Sequence, residues 1–166
     1  MNAVVLTATA VAAVLVGGYC WVRSRYLAIA IHGTSMIPAL QDGDRILVRR
    51  GAVEKVRRGD VVVFAVTTGL MLSMDAPPPT SKAGVPDFLP SAPRLMAKRA
   101  VAIPGDTIPK EVVHACGNAD VVPPGKIVVL GENPSASTDS RHYGFVSAEE
   151  VVGVAIRKYV PLHHAA

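Results

Sequence analysis

From Met1 to Val22 the chain carries no charged side chain, and its 166 residues include only two cysteines, Cys20 and Cys116. The scarcity of cysteine excludes a disulfide framework. Cys20 lies in the uncharged N-terminal run and Cys116 in an expected loop far down the chain, so no disulfide is expected. No Cys-x-x-Cys or Cys/His spacing of the kind a zinc site needs is present, and neither metal nor cofactor is expected. After residue 30 no stretch combines the length and 3.6-residue periodicity of a long helix. Internal repeats are also missing. A uniform run of one charge is missing: basic residues cluster at Arg45, Arg49, Arg50, Lys55, Arg57 and Arg58, but Asp42, Asp44, Glu54 and Asp60 are interleaved with them, and the net charge is only +4. That pattern argues against a nucleic-acid stripe. It fits a solvated face, or a face near anionic lipid headgroups, which attract basic juxtamembrane segments.

What the N-terminus does have is Ala and Val. A helix needs roughly 20 apolar residues to cross a bilayer, and Met1 to Val22 supplies them. Tyr19, Trp21, Arg23, Arg25 and Tyr26 close the run as an interfacial belt. Residues 1–26 are therefore expected to be a transmembrane anchor and residues 27–166 one further domain. A cleavable secretory signal is the competing reading, with Ala28 and Ala30 as its Ala-x-Ala site. Such signals begin with Lys or Arg, and nothing basic precedes this core. Arg23 and Arg25 by themselves vote for a cytoplasmic body.

Beyond the anchor, short β-branched runs alternate with turn residues. Arg45–Val48, Val61–Phe64, Val101–Ile103 and Ile127–Leu130 read as strands bounded by Gly-Asp and Pro-Gly pairs. The expected fold is mainly β, a small antiparallel sheet or partly open barrel behind one N-terminal helix. Residues 67–94 are Pro-rich and irregular (Ala76-Pro77-Pro78-Pro79, Val85-Pro86, Leu89-Pro90, Ala92-Pro93), a loop or flap.

Three segments carry candidate chemistry. Ser35, in Gly33-Thr34-Ser35-Met36-Ile37-Pro38, is a hydroxyl held where the backbone can turn sharply. In Leu95 to Asp106, strand alternation lines up Met96, Lys98, Ala100 and Ala102 on one face. A lysine among small apolar neighbours is desolvated, its ammonium form is disfavoured, and the neutral amine can act as general base. The plain reading is a strand-edge lysine reaching water. Gly131 to Gly144 packs hydroxyls, an acid and an Arg into a tight segment, which by itself is a polar turn with an Asp139/Arg141 pair. Histidine offers poorer bases: His32 is three residues before Ser35, His142 could pair with Asp139, His114 sits in a loop, and His163 and His164 lie in the tail.

Order and wording of these segments resemble the type I signal peptidases. The matching boxes are Ser35-Met36-Ile37-Pro38 after the apolar helix, Gly43-Asp44, Gly59-Asp60, Lys98-Arg99 leading to Pro104-Gly105-Asp106, and Gly131 to Gly144. The resemblance implies that Ser35 is the nucleophile and Lys98 the general base. Ser137 would orient the Lys98 amine, with Asp139 and Arg141 as a supporting pair. The oxyanion hole would combine the N–H of Ser35 with a backbone donor at Gly33. It further implies cleavage of exported preproteins after small residues at −1 and −3, on the outer face of the membrane and in contact with lipid. That topology sets the family pattern above the charges of Arg23 and Arg25. Glu132, Ala102 and Pro134 depart from the family's usual residues without removing a catalytic group. A self-cleaving repressor also carries Ser and Lys, but would need a DNA-binding domain where this chain has its apolar run. A tethered binding domain without catalysis would not need Ser35, Lys98 and the Ser137/Asp139/Arg141 spacing together.

Overall fold

The computed structural model describes residues 2–51, 53–66 and 94–159; the expected flap, apart from Arg94, and the tail histidines fall outside the described residues. Helix α1 spans Asn2–Arg25. Val11, Val14, Leu15, Val16, Tyr19, Trp21 and Val22 on it are all exposed. At its end Arg23 donates to the Tyr19 hydroxyl at 3.3 Å, and the Arg25 guanidinium lies 5.8 Å from the Trp21 ring centroid. Among the described residues no helix is long and apolar enough to cross a membrane. The expected anchor is thus a helix whose described side chains, which leave out residues 2–8 and 10, fall short of a full span.

The body is mainly β. Strands β1 (Tyr26–Ala30), β2 (Arg45–Arg50), β3 (Val61–Val66), β4 (Arg94–Ala102), β5 (Lys126–Leu130), β6 (Val146–Ser147) and β7 (Val151–Tyr159) form one sheet in the order β1-β2-β7-β3-β4-β5-β6. Every pairing is antiparallel, as the open-sheet expectation required. All four apolar runs picked out in the sequence fall in or at the end of these strands.

Strand alternation sorts the side chains onto two faces. On β3, Val62 and Phe64 join one apolar cluster with Ala100, Ile127, Val129 and Tyr143. Val63, between them, points to another cluster with Ile31, Met36, Leu40, Ile46 and Val48. A third cluster gathers Ala102, Ile108, Val112, Cys116, Val122 and Val128 under the long connection between β4 and β5. With both faces covered, the central strands read as near-continuous apolar runs rather than alternating ones.

The three Gly-Asp pairs are one turn used three times. Gly43, Gly59 and Gly105 have φ of 84°, 91° and 88°. In each, the following aspartate accepts the backbone N–H three residues earlier: Asp44 from Gln41 at 2.6 Å, Asp60 from Arg57 at 2.8 Å and Asp106 from Ile103 at 2.9 Å. Two of these turns start β2 and β3, and the third ends β4, which sets where each strand enters or leaves the sheet.

Gly59 has open space where a Cβ would go, so its requirement is purely backbone. We expect Gly59→Ala to lower unfolding free energy in urea by about 1–2 kcal/mol, the cost of a left-handed backbone for an L-residue. Gly51→Ala, where φ is ordinary and the nearest atom is a flexible Lys55 methylene at 3.8 Å, should change it by less than about 0.5 kcal/mol.

Candidate active site

Met36 holds the Ser35 turn in place. Its side chain is 2% exposed and packs with Ile31, Leu40, Ile46, Val48 and Val63. The Leu40 N–H donates to the Met36 carbonyl at 2.8 Å, closing the segment into a helical turn. Burying the side chain next to Ser35 fixes the backbone that carries the hydroxyl.

Lys98 comes from the middle of β4, opposite Val62 of β3. Ala100 shares its face, and the two are 0% and 2% exposed; Ala102, expected beside them, is turned by a bulge after Ala100 to a different cluster with Val128. The strand alternation read from the sequence therefore does bury this lysine, and it does not reach water. Its Nζ lies 2.6 Å from Ser35 Oγ, across 63 positions of chain. Burial pushes the amine down from 10.5 to about 8; the Asp139 charge pulls it partly back up and Arg141 pushes it down again.

Asp139 organises the last segment. It is fully buried and accepts from Arg141 Nε at 2.9 Å and Nη2 at 2.6 Å, from the Arg141 N–H at 3.2 Å, from the Gly131 N–H at 2.9 Å and from the Ser137 hydroxyl at 2.7 Å. Burial is the largest influence on its carboxyl and pushes it up, but these bonds outweigh burial and hold it below the ordinary carboxylate range. Asp139 also caps the short helix α2, Ser140–Tyr143, and Ser140 Oγ accepts the Val129 N–H at 2.9 Å, tying α2 to β5.

Two expectations meet a different geometry. Ser137 gives its proton to Asp139, and among the described residues it makes no hydrogen bond to Lys98; it lies beside the pair through Gly131. The Gly33 N–H, expected as an oxyanion donor, is held by Asp42 Oδ1 at 2.7 Å. The N–H of Ser35 donates to no protein acceptor among the described residues. As for the histidines, His142 Nδ1 accepts the Asp139 N–H at 3.3 Å and is turned away from Ser35, His32 is exposed beside Asp42, and His114 is exposed. No group of three or more metal-binding side chains occurs among the described residues.

The structure adds residues that the sequence reading passed over. Glu132 accepts from Arg99 Nε at 2.7 Å and also from Arg99 Nη2. Its other oxygen accepts the Ala39 N–H at 3.2 Å. One carboxylate thus joins the strand that carries Lys98 to the turn that carries Ser35. The Asn133 N–H donates to the Ser35 carbonyl at 3.0 Å, and Asn133 Nδ2 to the Thr34 carbonyl at 3.2 Å. Nothing in spacing signals these contacts, which cross 33 to 99 positions. At Gly131 a Cβ would fall on the Ser137 hydroxyl and 2.7 Å from the Ser35 carbonyl oxygen.

Gly131→Ala is expected to lower peptidase activity by about a hundredfold or more, because a shift of order 1 Å at the nucleophile suffices for that; steady-state kinetics on a folded sample checks it. Lys98→Met tests the burial. The folded-state value of Lys98 lies below the unfolded one, so between about 8 and 10.5 the unfolded chain binds more proton. The penalty is fully present below about pH 8 and fades as pH rises. Lys98→Met should therefore raise stability by about 1–3 kcal/mol at pH 6–7. The gain should shrink towards zero near pH 10, read from urea unfolding across pH.

The sequence matches the signal peptidase family, peptidase S26, over residues 1–112 and 109–160. It is 30% identical over 152 residues to a signal peptidase I of Bacillus caldolyticus, covering 79% of this chain and 78% of that one. A signal peptidase I of Leptolyngbya laminosa is 26% identical over 153 residues, covering 80% and 68%. The crystal structure of a signal peptidase I from Enterococcus faecalis V583 aligns at 21% identity with a TM-score of 0.38, over 62% of this chain and 98% of that one. Matched along nearly its whole length, the chain belongs to the signal peptidases of family S26, which are serine endopeptidases.

Proposed function

We propose that this protein is a membrane-anchored endopeptidase that removes signal peptides from exported preproteins, with Ser35 as nucleophile and Lys98 as general base. The observation that carries the reading is the 2.6 Å approach of Lys98 Nζ to Ser35 Oγ inside a pocket that lowers the amine to about 8. An ordinary lysine is almost wholly protonated near neutrality and cannot accept a proton; this one can.

Ser35 Oγ attacks the scissile carbonyl carbon as Lys98 takes its proton. The negative oxygen that results is met by the Ser35 N–H, aimed in advance at developing charge. Lys98 then gives its proton to the leaving amine, and the C–N bond breaks to leave an ester on Ser35. Water, deprotonated by the same amine, attacks the ester; the acyl C–Oγ bond breaks, Lys98 returns the proton to Ser35 Oγ, and the new carboxyl group is released. Burial sets the Lys98 amine near 8, with Asp139 and Arg141 exerting opposite, partly offsetting pulls on it, and Ser137 positions Asp139. Small residues at −1 and −3 of the preprotein fit a site set against a sheet face.

In this reading residues 1–26 anchor the chain and residues 27–166 form the catalytic domain. The apolar side chains exposed along α1 support lipid as its surroundings. Ser35 follows Arg23 by about a dozen residues, close to where a preprotein's cleavage site emerges beyond its own apolar segment. The domain then lies on the outer face of the cell membrane.

The test is cleavage of a preprotein with an Ala-x-Ala site in detergent or liposomes. The unmodified protein should cleave with a rate that rises about tenfold per pH unit below 8 and levels off above it, since neutral Lys98 is the active form. Ser35→Ala and Lys98→Ala should both lose activity by at least about a thousandfold. Cleavage that survives Lys98→Ala would remove the dyad.

A further inference from the structure

Gly33 enters the nucleophile turn with φ of 92°, two residues before Ser35. Its N–H is already taken by a side chain, Asp42 Oδ1 at 2.7 Å. An N–H holds one strong acceptor at a time. While Asp42 occupies it, an oxygen that becomes negative beside Ser35 has the Ser35 N–H but not this one. It also meets the full charge of a carboxylate across a single N–H.

Asp42 is not needed to build the turn in which it sits. That turn is closed by the backbone, with the Ile31 N–H donating to the Asp44 carbonyl at 2.8 Å and the Gly43 N–H to the Ile31 carbonyl at 2.9 Å. The structural aspartate there is Asp44. Its carboxylate accepts from Gln41 and pairs with Lys158 at 2.6 Å, and its side chain is only 17% exposed. The Asp42 side chain is 67% exposed, and beyond the Gly33 N–H its ionisable neighbour among the described residues is His32, 4.0 Å away and 85% exposed. A carboxylate so placed can turn into water at little cost, leaving the backbone of residues 31–44 closed behind it.

We propose that Asp42 is a latch on the oxyanion hole: in the resting enzyme it holds the Gly33 N–H, and it must swing away before that donor can stabilise the tetrahedral intermediate. This rests on the reading of Ser35 and Lys98 as the dyad. The latch keeps the site half-assembled until a substrate carbonyl arrives to displace it, so its opening is part of every turnover.

The experiment compares the full-length protein with Asp42→Ala and Asp42→Asn, with Ser35→Ala and Lys98→Ala alongside. It reads kcat and KM on a preprotein. It also reads the affinity ratio between a peptide boronic acid, which adds Ser35 Oγ to boron as a tetrahedral anion, and the same peptide ending in a primary amide. Asp42→Ala frees the N–H and should raise kcat by about three- to tenfold, the range of a partly exposed hydrogen bond, with KM little changed. The boronic acid should tighten relative to the amide by a similar factor. Asp42→Asn keeps an acceptor without the charge and should fall between; it also carries the test should Asp42→Ala fold poorly. A fall in kcat, or a kcat and an affinity ratio that both stay put, overturns the latch and makes Asp42 part of the turn's scaffold. Cleavage retained by Ser35→Ala or Lys98→Ala overturns the dyad instead, whatever the Asp42 variants do.

Discussion

A lysine amine held out of water against a serine hydroxyl is the constraint around which this domain is arranged. Moving the amine from 10.5 to about 8 costs about 3 kcal/mol in the protonated form, a large share of the 5–15 kcal/mol that typically separates folded from unfolded. That cost is met by placing Lys98 mid-strand, with β3 and β5 flanking β4 and Ala100 sharing its face. A lysine at the end of a strand would extend to water and recover its ordinary basicity.

Asp139 shows how the charge balance is tuned. A lone buried carboxylate near Lys98 would favour the ammonium and raise it again. Here Arg141 pairs with the same carboxylate through two side-chain bonds, and its positive charge offsets part of that pull. Asp139 is buried without its charge being left unmatched, since the Gly131 N–H and the Ser137 hydroxyl fill its remaining acceptor positions. These same bonds fold residues 131–139 tightly against the Ser35 turn, so the group that tunes Lys98 also builds the floor under the nucleophile.

Positioning therefore depends on ties between segments remote in sequence. Glu132 bridges Arg99 and the Ala39 N–H, and Asn133 grips the carbonyls of Thr34 and Ser35. Glutamate, one methylene longer than aspartate, spans both partners from a single backbone position. Met36 completes the arrangement from below by burial rather than by hydrogen bonding. The nucleophile is thus held from three directions: an apolar anchor, a backbone clamp and the amine itself.

Much of this was legible before any coordinates. Short β-branched runs at Val61–Phe64 and Ile127–Leu130, bounded by turn residues, announced strands because branched side chains pack well on a pleated sheet. Strand alternation placed Lys98 with Ala100, but it could not foresee the bulge that turns Ala102 away. Gly-Asp pairs announced turns because a left-handed backbone followed by a short carboxylate closes on an N–H three residues back. Such signals are local, and local chemistry is written in local sequence. The strand order, in which β7 inserts between β2 and β3, was not legible, because which edges pair depends on how the apolar faces are covered together. The partners of Ser137, Gly33 and Glu132 were beyond reach for the same reason. A hydroxyl, an N–H or a carboxylate bonds to whatever acceptor or donor the fold brings within about 3 Å, and no spacing along the chain encodes that distance. The sequence by itself determined which residues could do the chemistry and which strands would carry them; the tertiary structure decided that the Ser137 hydroxyl donates its hydrogen bond to Asp139, and that Asp42 holds the donor at Gly33.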